Sequence, residues 1–447
     1  MQAFILAMFC VAMLNDYLIQ LLELPPIARF VPELMSAAVI LYVLVAGTRD
    51  RFRLVAPKYW LIFGAMTVVI LCGIIDNSPG AGPVISGMRF YFRAAPFFLL
   101  AAVLPMSEEQ IMRQLKLLLG LAFIQLPIAG YQRWLVYDAG KFSGDSVQGT
   151  LMDSGILSMF LICGVLILTG LLLKRRISTF RYIVLFLILL GPTTINETKV
   201  TVVFLPLGLF VTLLVGAEPG KRLRYAGMAL AVLVAFGAIF VPVYNMFEER
   251  DPYKVEIVDF FSSPQELGKY LAGTGQRATA GLGTHKSVHR GEAITFPLQY
   301  LSKDPALLAF GLGLGNVSPS NLGRNFQGSY YSLFKNILVI SFAYFLLEFG
   351  LFGVILIGIL FWTVFSDSLA IARSDDGLLG AIAAGWTGVV AVFLISTVYN
   401  DFHYFTSVTF LYWYISGIIC ARRVSMAHET ARISHPSAHP GPTAAHG

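Results

Sequence analysis

Apolar runs of eighteen residues or more recur along most of this chain, and that feature alone confines it to a membrane. A helix rises about 1.5 Å per residue, so about 20 apolar residues cross the roughly 30 Å of hydrocarbon. Twelve stretches meet that ruler, at approximately 3–22, 31–47, 59–76, 85–104, 115–135, 151–173, 180–196, 199–216, 225–247, 336–365, 378–398 and 404–421. Asn15 and Asp16 interrupt the first. Only Ile195-Asn196-Glu197-Thr198 separates the seventh from the eighth, which predicts a tight helical hairpin containing Pro192 and Pro206. The expected fold class is an all-α polytopic membrane protein. Charged residues make up 13% of the 447, about half the usual share of a soluble domain, which excludes a string of soluble domains. The net charge of +6 sits in short clusters between apolar runs, so it indicates topology and not nucleic acid.

Lysine and arginine distribution sets the expected orientation. Arg49, Arg51, Arg53 and Lys58 follow the second run; Lys174, Arg175, Arg176 and Arg181 follow the sixth. Lys221, Arg222 and Arg224 follow the eighth, and Arg422 and Arg423 the twelfth. The intervening segments 77–83 and 399–403 have neither residue type. These clusters belong in the cytoplasm, with both termini. The chain then divides into nine spans over 1–247, an external loop over 248–335, three spans over 336–421 and a disordered cytoplasmic tail over 422–447. The loop carries nine Lys/Arg against eight Asp/Glu. Its apolar residues, among them Phe260, Phe261, Tyr300, Leu307, Leu308 and Phe310, predict an ordered, mainly helical cap, with a helix near Val288–Ser302. The N-terminus lacks a basic leader, so the first run is expected to remain as a span. Cys10, Cys72, Cys163 and Cys420 all lie in apolar runs and read as small hydrophobes.

Ionisable residues in or at the ends of spans are expensive to bury and therefore informative. They are Arg89, Arg93, Arg133, Glu197, Lys199, Glu348, Asp401 and His403. Arg89, Arg93, Arg133 and Lys199, with the loop arginines Arg277 and Arg290, are expected to line a basic outer cavity suited to phosphate groups. The phosphate-binding Gly-Lys-Ser/Thr loop, the Asp-x-Asp pair, His-Glu-x-x-His and Gly-x-Ser-x-Gly are all missing from the sequence. Gly311-Leu-Gly-Leu-Gly-Asn316 lacks the strand-turn-helix context of a dinucleotide site. His285 and His289 share a helix face without a third ligand.

Three motifs, in order, carry a resemblance. Asn196-Glu-Thr-Lys-Val-Thr201 opens the eighth span. Arg290 leads through Asp304-Pro305 to Phe310-Gly-Leu-Gly-Leu-Gly315. Leu347-Glu-Phe-Gly-Leu-Phe-Gly353 lies in the tenth span. With twelve spans and a large loop between the ninth and tenth, the chain resembles the O-antigen polymerase and ligase superfamily over nearly its whole length. The resemblance implies a bacterial inner-membrane glycosyltransferase with its active site facing the periplasm. Its donor would be a glycan on undecaprenyl diphosphate, its acceptor a second glycan, and its partners a chain-length regulator and a flippase. Because the lipid diphosphate is already an activated leaving group, neither cofactor nor metal is implied, and direct displacement would invert the anomeric carbon.

The matching motifs make Lys199 and Arg290 the catalytic cations. Arg89, Arg277, Glu197 and His289 are implied to bind substrate. Glu197, His285, His289, Glu292 and Asp304 stay open as proton acceptor. Family ligases carry a histidine where Val339 stands, which favours a polymerase over a ligase. A lipid-linked sugar transporter is the rival from another class.

Overall fold

The computed structural model describes residues 2–47, 52–104, 106–136, 146–217, 219–248, 263, 290–320 and 322–434. The helices are α1 (Gln2–Leu21), α2 (Val31–Ala46), α3 (Pro57–Asn77), α4 (Ala81–Phe92), α5 (Pro96–Val103), α6 (Glu108–Tyr131), α7 (Ser154–Leu173) and α8 (Thr179–Ile195). There follow α9 (Thr201–Gly216), α10 (Arg222–Glu248), α11 (Arg290–Leu301), α12 (Pro305–Phe310), α13 (Tyr331–Phe334), α14 (Ser341–Ser374), α15 (Leu378–Ser396) and α16 (Thr406–Ser434). Among the described residues there is no strand, and eight helices are long and apolar enough to cross a membrane. α8 and α9 are shorter apolar helices.

The centre of the bundle is the antiparallel pair α7 and α15, with α9 lying parallel to α7. Every residue of α7 except Gly155 and Gly164 is buried, the pattern of a helix surrounded by protein. Lipid tails are as apolar as leucine, so close packing and not water exclusion must hold such helices together. α15 supplies that packing through Gly380-Ala-Ile-Ala-Ala-Gly-Trp-Thr-Gly388. A Cβ on Gly385 would run into the Leu166 carbonyl, and one on Gly388 into that of Gly208. At the periphery α10 buries one stripe, Phe236, Phe240 and Tyr244, with ring centroids 5.1 and 5.8 Å apart. Its Leu230 and Val234 face outward, as a lipid-facing surface requires.

Two helices break where the sequence pattern reads continuous spans. The stretch expected over 85–104 is two helices, α4 and α5, joined by tight turns in which Ala95 and Phe97 donate to the carbonyls three residues back. Pro96 has no N–H for an α-helical bond, and its ring would meet the carbonyl four residues earlier. α14 begins at Ser341 and breaks at Gly350 (φ 64°), where a side chain would strain the backbone and meet Ala309. Into that break goes the Gly-rich turn 311–315: Leu312 N–H donates to the Leu347 carbonyl (2.6 Å). The buried Glu348 carboxylate accepts from Gly315 N–H (2.7 Å), Val317 N–H (3.0 Å) and Ser318 Oγ (2.7 Å). This part of the expected cap is therefore keyed into α14. Asp304 caps α12 through Ala306 N–H (2.8 Å), with Pro305 in the first turn.

The hairpin between α8 and α9 forms as expected, with Asn196–Val200 as its turn. α16 continues to Ser434, beyond the expected span end at 421 and into the segment read as a disordered tail. Phe260 and Phe261 lie outside the described residues.

Candidate functional site: a cationic end of the bundle

One end of the bundle gathers the C-termini of α6, α8 and α15 and the N-termini of α7, α9, α14 and α16. Short-range bonds stitch these termini together. Asn196 Nδ2 donates to the Ser154 carbonyl (3.1 Å), and the Ser341 N–H donates to the Asn400 carbonyl (2.9 Å). Gln125 and Gln132 sit seven residues apart on one face of α6 and its continuation. Together they grip the loop before α7. Gln132 Oε1 accepts from the N–H groups of Gln148 and Gly149, and Gln125 Oε1 from that of Thr150.

Between these elements, α1 and α4 lies a polar cavity of about 390 Å³. Asn15, Asp16, Arg29, Arg89, Arg93, Thr150 and Tyr404 are among its walls. Arg89 and Arg93 stand four residues apart, and Arg93 keeps helical backbone angles as α4 ends, so both turn to the same carboxylate. Glu33 Oε1 takes Arg89 Nη2 at 2.8 Å and Arg93 Nη1 at 3.4 Å. Arg93 also donates to the Tyr404 carbonyl, and the Arg89 guanidinium lies 5.0 Å from the Phe30 ring centre. Three guanidiniums thus face two carboxylates, Asp16 and Glu33. Arg29 is exposed and makes neither ion pair nor hydrogen bond among the described residues.

A second, apolar cavity of about 120 Å³ adjoins the first and shares Phe90 and Arg93 with it. Aromatic side chains dominate its walls, including Tyr91, Phe345, Phe349 and Trp413. His403 belongs to this wall: its ring stacks on Tyr91 (5.4 Å, 6° between planes) and its Nδ1 lies 2.8 Å from Ser341 Oγ. Burial, reinforced by Arg93, pushes His403 down to about 3, so it is a neutral hydrogen-bonding group. Desolvation pushes the neighbouring Asp401 carboxyl up to about 6.

The expected site residues fall into this end in different ways. Lys199 is half-buried, its Nζ 5.8 Å from the Tyr244 ring centre. Arg290, the first residue of α11, donates from Nε to the Tyr399 carbonyl (2.8 Å), and its guanidinium lies 4.2 Å from the ring centre of the same tyrosine. Tyr399 packs edge-on against Phe204 of the first turns of α9 (5.6 Å). Arg290 therefore reaches the start of α9 through two aromatic rings. Glu197, in a left-handed conformation (φ 55°), pairs with Arg133 at 2.6 Å, both 3% exposed. Arg89 lines the polar cavity. Arg277 and His289 lie outside the described residues, as does His285.

Arg29 and Glu33 were missed in the sequence reading. Glu33 stands in the first turn of an apolar helix, where an isolated carboxylate is itself a signal. Asn15 and Asp16, read as an interruption of the first span, are cavity walls. Among the described residues no group of three or more His, Cys, Asp or Glu is placed to hold a metal ion. Neither a scan against protein-family models nor a search of curated proteins finds a match to this chain.

Proposed function

We propose that the chain is a glycosyl-transferring polymerase of the bacterial inner membrane that joins oligosaccharide repeats carried on undecaprenyl diphosphate. What supports this reading is the pairing of two separate cationic centres at one end of the bundle, one of them opening onto an aromatic slot. Joining two lipid-linked repeats brings two diphosphates to the enzyme. One leaves with the donor lipid, and the other stays on the acceptor. Lys199 and Arg290 are assigned to the leaving diphosphate, Arg29, Arg89 and Arg93 to the retained one. The aromatic slot then takes the first isoprene units beside the head. A guanidinium fork matches phosphate oxygens in a way that a point charge does not.

In the reaction an acceptor hydroxyl oxygen attacks the anomeric carbon from the face opposite the leaving group. The carbon–oxygen bond to the diphosphate breaks, and its electron pair departs with the diphosphate. Preorganised cations in a site that excludes water stabilise that developing charge. The hydroxyl proton passes to an acceptor for which Glu292 and Asp304 remain candidates. Glu197 is held by Arg133 and is assigned to positioning the Lys199 turn. Val339, in place of the histidine of ligases, favours polymerisation over transfer to a lipid A core.

The test is to give purified protein a lipid-linked repeat in excess chelator. The expected products are a polymer ladder and free undecaprenyl diphosphate. Lys199→Ala and Arg290→Ala should each remove most of both products without loss of protein, and Arg290→Lys should do worse than Lys199→Arg. Movement of the lipid-linked repeat across a vesicle with no diphosphate released would overturn the enzyme reading in favour of a transporter.

A further inference from the structure

The opposite end of the bundle holds a larger cavity, about 740 Å³, between the C-termini of α7, α9 and α14 and the start of α10. Lys174, Arg175, Lys221 and Arg373 line it, against the single carboxylate of Asp376. Snorkelling cations at a membrane surface spread around the bundle as a belt. Here four from three separate segments surround one concavity whose floor is apolar, built by Leu173, Val215 and Ala372.

A second observation is independent of the charge. Arg175 adopts a left-handed backbone (φ 54°) as α7 ends, with Arg175 N–H donating to the Leu172 carbonyl and Arg176 N–H to that of Leu171. Glycine is the residue that takes this conformation without strain. An arginine there keeps its guanidinium at the cavity against the preference of its own backbone. Beside the mouth, Leu214 and Leu223 are 45% and 87% exposed, an apolar border suited to acyl chains.

We propose that this cavity binds the headgroup of an anionic phospholipid from the adjoining leaflet, with a two-phosphate headgroup such as that of diphosphatidylglycerol held best. The volume suits a ligand of that size, and basic pockets between transmembrane helices bind such headgroups. The sequence assigns this end to the cytoplasmic leaflet, where the four clusters of lysine and arginine fall. The site does not depend on the reaction proposed for the other end.

The full-length protein in detergent is melted with added diphosphatidylglycerol, phosphatidylcholine or inorganic pyrophosphate. Diphosphatidylglycerol should raise the melting temperature by several degrees, phosphatidylcholine should not, and pyrophosphate should do so far less. Arg175→Gly should melt no lower than the native chain without lipid, since the backbone strain is relieved, yet lose most of the lipid-dependent rise. Arg373→Gln, at an exposed position, should lose part of it. An equal rise with pyrophosphate would identify a soluble-anion site and overturn the lipid assignment. So would an undiminished lipid response in both variants, or the absence of any response in the native chain.

Discussion

Both ends of the bundle are rich in cations, yet the ion pairs at the two polar cavities differ: the carboxylate at one is largely buried and the carboxylate at the other is open to water. At the end with the polar cavity, Arg89 and Arg93 share Glu33, Arg133 is buried with Glu197, and Arg290 lies on Tyr399 with its Nε on that residue's carbonyl. At the other end Lys174, its own side chain 12% exposed, reaches Asp376, whose side chain is 96% exposed, and Arg175 and Arg373 are exposed. Burying a guanidinium costs several kcal/mol unless a partner compensates, whereas an exposed one costs almost nothing. A count of Lys and Arg by loop orients the chain but cannot distinguish these two uses of charge. Pairing and burial can.

Substitutions should sort by end. The largest effect belongs to Arg133→Ala, which removes the guanidinium 2.6 Å from the buried Glu197 carboxylate and should cost about 3–5 kcal/mol of stability. The readout is loss of folded protein in detergent, and near-native melting of this variant would break the contrast at its strongest point. Glu348→Ala comes next, because it leaves the Gly315 and Val317 N–H groups without their acceptor and the Ser318 hydroxyl with the longer bond to Tyr91 Oη (3.3 Å). A loss on the order of 3 kcal/mol is expected, with early proteolysis in the 311–318 turn as its signature.

Asp401→Asn sharpens the comparison through pH. Its folded-state carboxyl titrates near 6, above the ordinary value of 3.8, so the folded state favours the protonated form. That contribution is full below about pH 4 and is lost as pH rises through 6. The asparagine variant should therefore melt a few degrees above the native chain at pH 7.5 and level with it at pH 4. The smallest effect belongs to Asp376→Ala at the open end, which should leave the melting temperature unchanged. A drop comparable to that of Arg133→Ala would erase the distinction between the ends.

The helical content and the hairpin at 196–200 were legible because they rest on local signals, apolar run length and a four-residue polar interruption. The breaks were half legible. Pro96 and Gly350 are visible in the sequence, but apolar periodicity runs through both, so the stretches read as single spans. Least legible were the partnerships. Glu348 and the 311–315 turn each stood out as motifs, yet nothing in either says that the carboxylate caps the turn. Arg89 and Arg93 share a helix face by their spacing, but nothing in that spacing names Glu33 as their partner. Tertiary proximity across 56 residues leaves no trace in periodicity. Arg290 reaches α9 through Tyr399 and Phe204, two rings that no motif in the sequence singles out.

The order of charges along the chain has a consequence for biogenesis. Glu33 emerges from the ribosome 56 residues before Arg89 and 60 before Arg93, so the carboxylate is made before the arginines that it pairs with. Neither α4 nor α5, at 12 and 8 residues, is long enough to cross on its own. Arg133 has the reverse schedule, because Glu197 follows it by 64 residues. Until α8 is delivered, that guanidinium has to wait at the aqueous edge of the bilayer or in the translocon. The turn at 132–136 can close onto Glu197 only after the hairpin between α8 and α9 has been made.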